Sequence, residues 1–250
     1  MTRPDSAATV LVVAKAPIAG FAKTRLTPPL RPRDAARLAA SALLDTLAAV
    51  RASSARHRVV AWTGELAVAE EADAIAAALR DFTVVPQRGN TFGERLANAH
   101  ADAARHGAPV LQIGMDTPQI DADLLDGCLA RLLATGDSVL GPAVDGGWWA
   151  LGVTDPRAAR ALVDVPMSTP QTGEFTRAAL RRNGFHVHAL PMLTDVDHYA
   201  DALAVAARCR GRFAATLALV APADPSAPRI TPDLDLEPDC AITVSPAGSR

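Results

Sequence analysis

"TVLVVA", residues 9–14, decides how the chain is read. A short, continuous, largely β-branched run of this kind is the pattern of a strand covered on both faces, as in a parallel sheet flanked by helices. The residues after it support that reading. "AKAPIAGFAKTRL" (Ala14–Leu26) is a loop of small residues and cations, and Pro32 then opens a helical pattern with Leu38, Leu43, Leu44, Leu47 and Val50 at helical spacing. The same alternation continues down the chain. Strands are expected at 57–63, 82–86, 109–116, 138–143, 148–153 and 186–191, helices at 66–79, 93–106, 123–134, 156–163 and 168–182, and a turn into a last helix over 195–210. Ser168 and Gln171 have the spacing of a capping box for the helix that ends near Arg182. Alternating strands and helices imply an α/β fold with a doubly wound, mostly parallel sheet and helices on both faces. In such a sheet ligands bind outside the carboxyl ends of the strands.

Composition narrows the class. The chain has 250 residues, enough for one large α/β domain, and its aromatic share of 4% leaves the core to Val, Leu, Ala and Ile. The net charge of -2 offers no global attraction to nucleic acid or to an anionic membrane, so anion recognition must be local. No apolar run approaches the roughly 20 residues of a membrane span, and "MTRPDSAA" lacks the apolar segment of a signal peptide. Cys128, Cys209 and Cys240 are widely spaced and form no metal pattern, so they read as reduced thiols of a cytoplasmic protein. Residues 1–220 are expected to form the domain. Residues 221–250, with six prolines, are expected to form a flexible Pro/Asp-rich tail.

The polar residues that follow the strands fall on one expected edge of the sheet. After the first strand come Lys15, Gly20, Lys23 and Arg25, after the third Gln87 and Gly89, after the fourth Asp116, after the fifth Asp145, Gly146 and Gly147, and near the end Asp195 and Asp197. Such convergence is what a small-molecule site requires. The first loop is not a P-loop, because Ala22 precedes Lys23 and Pro17 stands where the first glycine belongs. In extended backbone Lys23 and Arg25 point the same way and suit a diphosphate, though a solvated basic loop has the same composition. A carboxylate such as Asp116 at the end of a buried strand must be solvated, paired or metal-bound, unless it merely starts the turn. Asp197 reads either as a helix cap or as the second carboxylate for Mg²⁺ or Mn²⁺. "VDGGWW" (144–149) is both a hairpin turn and a candidate acceptor pocket, with one of Trp148 and Trp149 packed and the other facing the site. His186 and His188 share one strand face without a third ligand and read as structural.

Taken in order, "AKAPIAGFAKTRL", "QRGNTFGERL", "GMDTPQI", "GPAVDGGWWALGV", "STPQTGEFTRAAL" and "DVDHYADAL" resemble a bacterial family of GT-A-like glycosyltransferases that includes members assigned to arsenosugar biosynthesis. The resemblance runs from about Val10 to Leu203. It implies a nucleotide-diphospho-sugar transferase fold, a first loop that holds the nucleotide, and a divalent metal on Asp116 and Asp197. Asp116 is followed by Thr117 and Pro118 and not by the Asp-x-Asp of many GT-A enzymes. In that respect, and in "AKTRL", the chain is also similar to nucleotidyltransferases, including guanylyltransferases of deazaflavin-cofactor synthesis. Met167 stands where relatives commonly carry an aromatic residue.

Three functions follow as expectations. In the first, a metal-dependent transferase moves sugar from a nucleoside-diphosphate sugar to a small acceptor. Lys15, Gly20, Lys23, Arg25, Gln87 and Gly89 then bind nucleotide, Asp116 and Asp197 bind Mg²⁺ or Mn²⁺, and Gly146, Gly147 and Trp148 line the acceptor pocket. Asp145 orients or deprotonates the acceptor. In the second, a phosphorylated small molecule attacks an NTP. The loop from Ala143 to Gly152 carries no Lys or Arg to receive such an acceptor, which favours sugar transfer. The third is a non-catalytic nucleotide-binding protein, whose binding would ignore metal.

Overall fold

The computed structural model describes residues 6–107 and 109–222. Its centre is a mixed seven-stranded sheet in the order β3-β2-β1-β4-β6-β5-β7. The strands are β1 (Ser6–Lys15), β2 (Ala55–Thr63), β3 (Thr83–Pro86), β4 (Val110–Gly114), β5 (Ser138–Pro142), β6 (Trp148–Val153) and β7 (Val187–Ala189). Six run parallel. β6 is reversed and pairs antiparallel with both β4 and β5, so the expected hairpin at "VDGG" is real.

The helices are α1 (Pro32–Ala52), α2 (Ala72–Leu79), α3 (Phe92–Ala103), α4 (Ala122–Thr135), α5 (Thr172–Arg182), α6 (Tyr199–Ala206) and α7 (Arg212–Val220). Alternate residues of β1 feed opposite faces. Val10, Val12 and Ala14 join α1, α2 and α4 in one core, while Leu11 meets Ala99 and Ala103 of α3 in another. α1 is apolar nearly all round because it is covered twice. Leu43 and Leu47 face the sheet, and Ala35, Leu38 and Ala42 face Phe213 and Leu217 of α7. Trp149, 1% exposed, is the large side chain of the main core, and its indole N–H donates to Pro191 O at 2.8 Å.

Several boundaries differ from the sequence reading. The expected helix over 66–79 splits into a 3₁₀ turn, Leu66–Val68, and α2. The stretch Pro156–Asp164 is 3₁₀, and α7 was not foreseen. The Ser168 capping box does not form. Ser168 has φ 60, and α5 begins only at Thr172, whose hydroxyl donates back to Pro166 O at 2.9 Å. Of the expected tail, residues 223–250 lie outside the described residues, as does Cys240. Among the described residues Cys128 and Cys209 are unpaired thiols, and burial pushes them up to about 12 and about 11. Among the described residues no helix is long and apolar enough to cross a membrane.

Candidate active site at the carboxyl edge of the sheet

The site assembles where β1, β4 and β5 end. β4 stops at Gly114, and the absence of a side chain there matters: a Cβ would lie 2.6 Å from Asp116 Oδ1. Two later segments then cross the same edge. Leu193 N–H donates to Pro142 O (3.1 Å), Val144 N–H to Leu193 O (3.0 Å) and Val196 N–H to Asp116 O (3.0 Å). Gln119 Nε2 adds a bond to Thr194 O at 2.7 Å. This stitching lays residues 193–197 along the ends of β5 and β4, which brings Asp195 and Asp197 beside Asp116.

Lys23 closes the cluster. Its ammonium donates to Asp116 Oδ2 at 2.7 Å and to Asp197 Oδ1 at 2.9 Å, and its side chain is only 12% exposed. Leu26, Leu38, Met115, Val196 and Phe213 form the apolar wall under its stem. Arg25 takes the other oxygen of Asp197, Oδ2, at 3.0 Å from a more exposed position. The extended backbone expected for Lys23 and Arg25 does not exist. Lys23 is left-handed (φ 51, ψ 41) and precedes the 3₁₀ turn Thr24–Leu26, a conformation that costs a non-glycine residue about 1–2 kcal/mol. The two side chains still meet, on Asp197, because the turn curves them toward one carboxylate. Asp197 does not cap the last helices. His198 precedes α6, and Asp201 accepts from the backbone N–H of His198 at 2.7 Å. That leaves Asp197 free for the cations.

The charges act on one another as this crowding requires. Burial works against the Lys23 ammonium, but Asp116 and Asp197 outweigh it and hold it charged well above its usual range. Burial raises Asp197, yet Lys23 and then Arg25 keep its carboxyl below the usual range. Asp195 has no such partner. Burial, then Asp116, Asp145 and Asp197, push it up to about 8 against the pull of Lys23, and its Oδ1 is enclosed without a hydrogen bond. The sequence reading placed Asp195 on this edge but gave it no role, because its setting depends on contacts with Pro142 and Asp116 far away in the chain. Lys15 is half-buried, with its Nζ 2.9 Å from Phe21 O and 5.2 Å from the Phe21 ring centroid. Burial and then Lys23 lower its pKa.

The other expected residues divide. Gly20, at φ 76, turns the first loop. Gln87 spends both amide hydrogens on Ala14 O (2.8 Å) and Ala61 O (3.0 Å), tying together the ends of β1 and β2. Gly89 (φ 134) leads into α3, which Thr91 and Glu94 cap reciprocally. Asp145 Oδ1 accepts from Gly147 N–H at 2.8 Å, so Oδ2 remains for another donor. At Gly146, φ is 87 and a Cβ would overlap the carbonyl oxygen of Pro170. Gly173 N–H donates to Gly146 O at 2.9 Å, locking the hairpin turn onto the loop before α5. Trp148 is half-buried against α5, bonded to Thr176 Oγ1 at 3.1 Å, and presents only part of its indole to the edge. His188 pairs with Asp137 at 2.9 Å, away from the site.

The donor set suits a hard cation, being carboxylate oxygen alone, with Asp116 and Asp197 already converging on one positive group and Asp195 Oδ1 unsatisfied. Among the described residues no three His, Cys, Asp or Glu side chains are grouped to hold a metal by themselves. Mg²⁺ characteristically takes one or two carboxylates and completes its shell with water and substrate phosphates, so a pair is sufficient.

A proposed nucleotide-diphospho-sugar transferase from Desulfovibrio desulfuricans G20 has a similar structure, with TM-score 0.75 and 25% identity over 86% of this chain and 95% of that one. A cytidylyltransferase from Leptospira borgpetersenii matches at TM-score 0.52 and 14% identity, over 86% and 93% of the two chains. Rv0371c of Mycobacterium tuberculosis H37Rv, solved in complex with manganese, matches at TM-score 0.50 and 18% identity over 79% and 97%. The last two show likeness of fold alone. No curated protein matches. Residues 46–169, which include Asp116 and Asp145 but neither Lys23 nor Asp197, match DUF2064, described as an uncharacterized protein conserved in bacteria. Over that segment the chain is similar to the DUF2064 family, and its fold is that of the nucleotide-diphospho-sugar transferases.

Proposed function

We propose that this protein is a metal-dependent transferase that uses a nucleoside-diphosphate sugar to glycosylate a small acceptor. One observation carries the reading: Lys23 and Arg25 of the first loop meet Asp116 and Asp197 at the carboxyl edge of the sheet. Cations for phosphate and carboxylates for a divalent ion are therefore within one side chain's reach of each other. Asp116 and Asp197 would hold Mg²⁺ or Mn²⁺, which when bound neutralises charge on a departing diphosphate. Arg25, the more exposed cation, would grip phosphate oxygens with its planar fork, and Lys15, at the end of β1, adds a second positive group. Gly20 lets that loop close toward the nucleotide, Gln87 keeps the strand ends in register through its amide hydrogens, and Gly89 leaves room beside the base or ribose. Asp145, with Oδ2 free, orients an acceptor hydroxyl or takes its proton, beside Gly146, Gly147 and the exposed part of Trp148.

The lack of Lys or Arg from Ala143 to Gly152 argues against a phosphorylated acceptor, and so for sugar transfer over nucleotidyl transfer. A thermal-shift screen separates them. A ligand at 100 times its dissociation constant adds about 2.7 kcal/mol of stability. Stabilisation by a nucleoside-diphosphate sugar with Mn²⁺, and not by NTPs, is expected. Stabilisation by NTPs alone would replace the reading with nucleotidyl transfer, and binding indifferent to metal would reduce it to a nucleotide-binding protein.

A further inference from the structure

Of the 25 lysines and arginines in the chain only Lys15 and Lys23 are lysine; the other 23 are arginine. Lys15 ends β1 and Lys23 lies on the loop that follows it. A chain that otherwise uses guanidinium places its compact, radially donating ammonium between two carboxylates. There a planar fork would fit poorly, and a small divalent ion would fit well. Lys23 thus occupies, at 2.7 and 2.9 Å, the position that the proposed metal would need. A metal cannot enter between Asp116 and Asp197 while the ammonium is there. Nor can Lys23 reach a diphosphate while it is tied to both carboxylates.

We infer that Lys23 is an exchangeable resident cation. In the free protein its ammonium holds the Asp116–Asp197 pair closed, and an incoming divalent ion displaces it and releases the amine toward solvent and phosphate. The inference rests on the metal-dependent reading above. Three features support it. The left-handed backbone at Lys23 is unfavourable by itself and is held by the two ion pairs, so breaking them lets the loop relax. Arg25 already bonds the outer oxygen of Asp197 and can keep that carboxylate in place while Lys23 leaves. The enclosed Asp195 Oδ1, which Lys23 leaves without a bond, shows that the ammonium serves only Asp116 and Asp197 among the three carboxyls of this edge. The chemistry is an exchange of counter-ions, and no covalent bond forms or breaks.

With only two lysines the test is direct. The full-length protein is pulsed with an amine-acylating ester, with and without MnCl₂, and modification at Lys23 is read by peptide mass spectrometry against urea-unfolded protein. Binding of Mn²⁺ is followed in parallel by calorimetry. We expect Lys23 to be strongly protected without metal and to label at least tenfold faster at saturating Mn²⁺. Asp197→Asn removes one of the two carboxylates. It should raise Lys23 labelling severalfold without metal and abolish the effect of Mn²⁺; should it not fold, the wild-type measurement still decides. Mn²⁺ binding with Lys23 labelling unchanged would overturn the inference and leave Lys23 a fixed anchor. Absence of Mn²⁺ binding would overturn it together with the metal part of the proposed function. In that case stabilisation by a nucleotide sugar without metal would leave only the nucleotide-binding part of that reading standing.

Discussion

Lys23 and Asp116, 93 positions apart in the chain, meet at 2.7 Å and couple the loop after β1 to the turn after β4. Asp116→Asn keeps the shape and removes the charge. A charge-assisted bond in a partly solvated setting is worth about 1–3 kcal/mol, which for a chain of this size is a fall in Tm of roughly 2–12 °C. Lys23 retains Asp197, so the protein should stay folded. The expected result is a modest drop in thermal unfolding temperature and complete loss of the extra stabilisation that Mn²⁺ and a nucleotide sugar give together. Retained ligand stabilisation would exclude Asp116 from the site.

Arg25→Ala separates stability from binding. The Arg25 side chain is 60% exposed, and surface pairs contribute about 0–1 kcal/mol. Its thermal unfolding should match that of the wild type within about 3 °C. Nucleotide affinity, measured by calorimetry, should fall by about tenfold or more if the guanidinium grips phosphate in charge-assisted bonds. Equal affinity in the two proteins would remove Arg25 from the nucleotide site.

Gly146→Ala attacks the other half of the edge. The new Cβ would press on the Pro170 carbonyl at a residue with φ 87, so the hairpin turn must part from the loop before α5. A strained backbone of this kind costs about 1–3 kcal/mol. Because Asp145 lies next to Gly146 while Lys23 and Arg25 are on a separate loop, turnover should collapse while nucleotide binding is largely retained. A proportional loss of both would contradict this division.

His100 sets an acid limit on stability. It is fully buried on α3, neither ring nitrogen makes a hydrogen bond, and burial lowers its pKa from 6.5 to about 4 despite nearby Gln112 on β4. The unfolded chain therefore takes up a proton below pH 6.5 that the folded chain refuses until about pH 4. Stability is unaffected above the upper value and falls as pH drops between them, by up to about 3 kcal/mol. Urea unfolding of wild type and His100→Gln at pH 7 and pH 5 checks this: the variant should lose less stability over that interval. Identical losses would mean that other groups govern the acid limb.

The architecture was largely legible because β1 through β5 and α1 through α5 carry their own periodicity and turn residues. The misreadings have local causes. Ser168 and Gln171 have capping-box spacing, but Thr172, a better-placed hydroxyl, bonds back to Pro166 and starts the helix four residues later. Thr91 and Glu94 do form the box, one residue before the expected start of α3. The candidate site was legible as a set of loops but not as a set of bonds. That Lys23 would sit on the carboxylates, and that Asp195 would be enclosed among Asp116, Asp145 and Asp197, depends on the pairing of residues 193–196 with residues 116 and 142–144. No local pattern encodes it.

The reversal of β6 has a consequence for how the candidate site can diversify. Had β5 been followed by a parallel strand, the connection would have crossed to the far edge and returned through a helix. Instead Pro142 and Trp148 are joined by a tight turn that stays beside Asp116. Both ends of that turn are anchored in the sheet. Lys23 and Arg25 lie on a separate loop, so the turn can differ in length or sequence without displacing the strands that hold that loop. Under the function proposed above, exchanging this hairpin is thus a direct route to changing the acceptor while leaving the loop of Lys23 and Arg25 untouched.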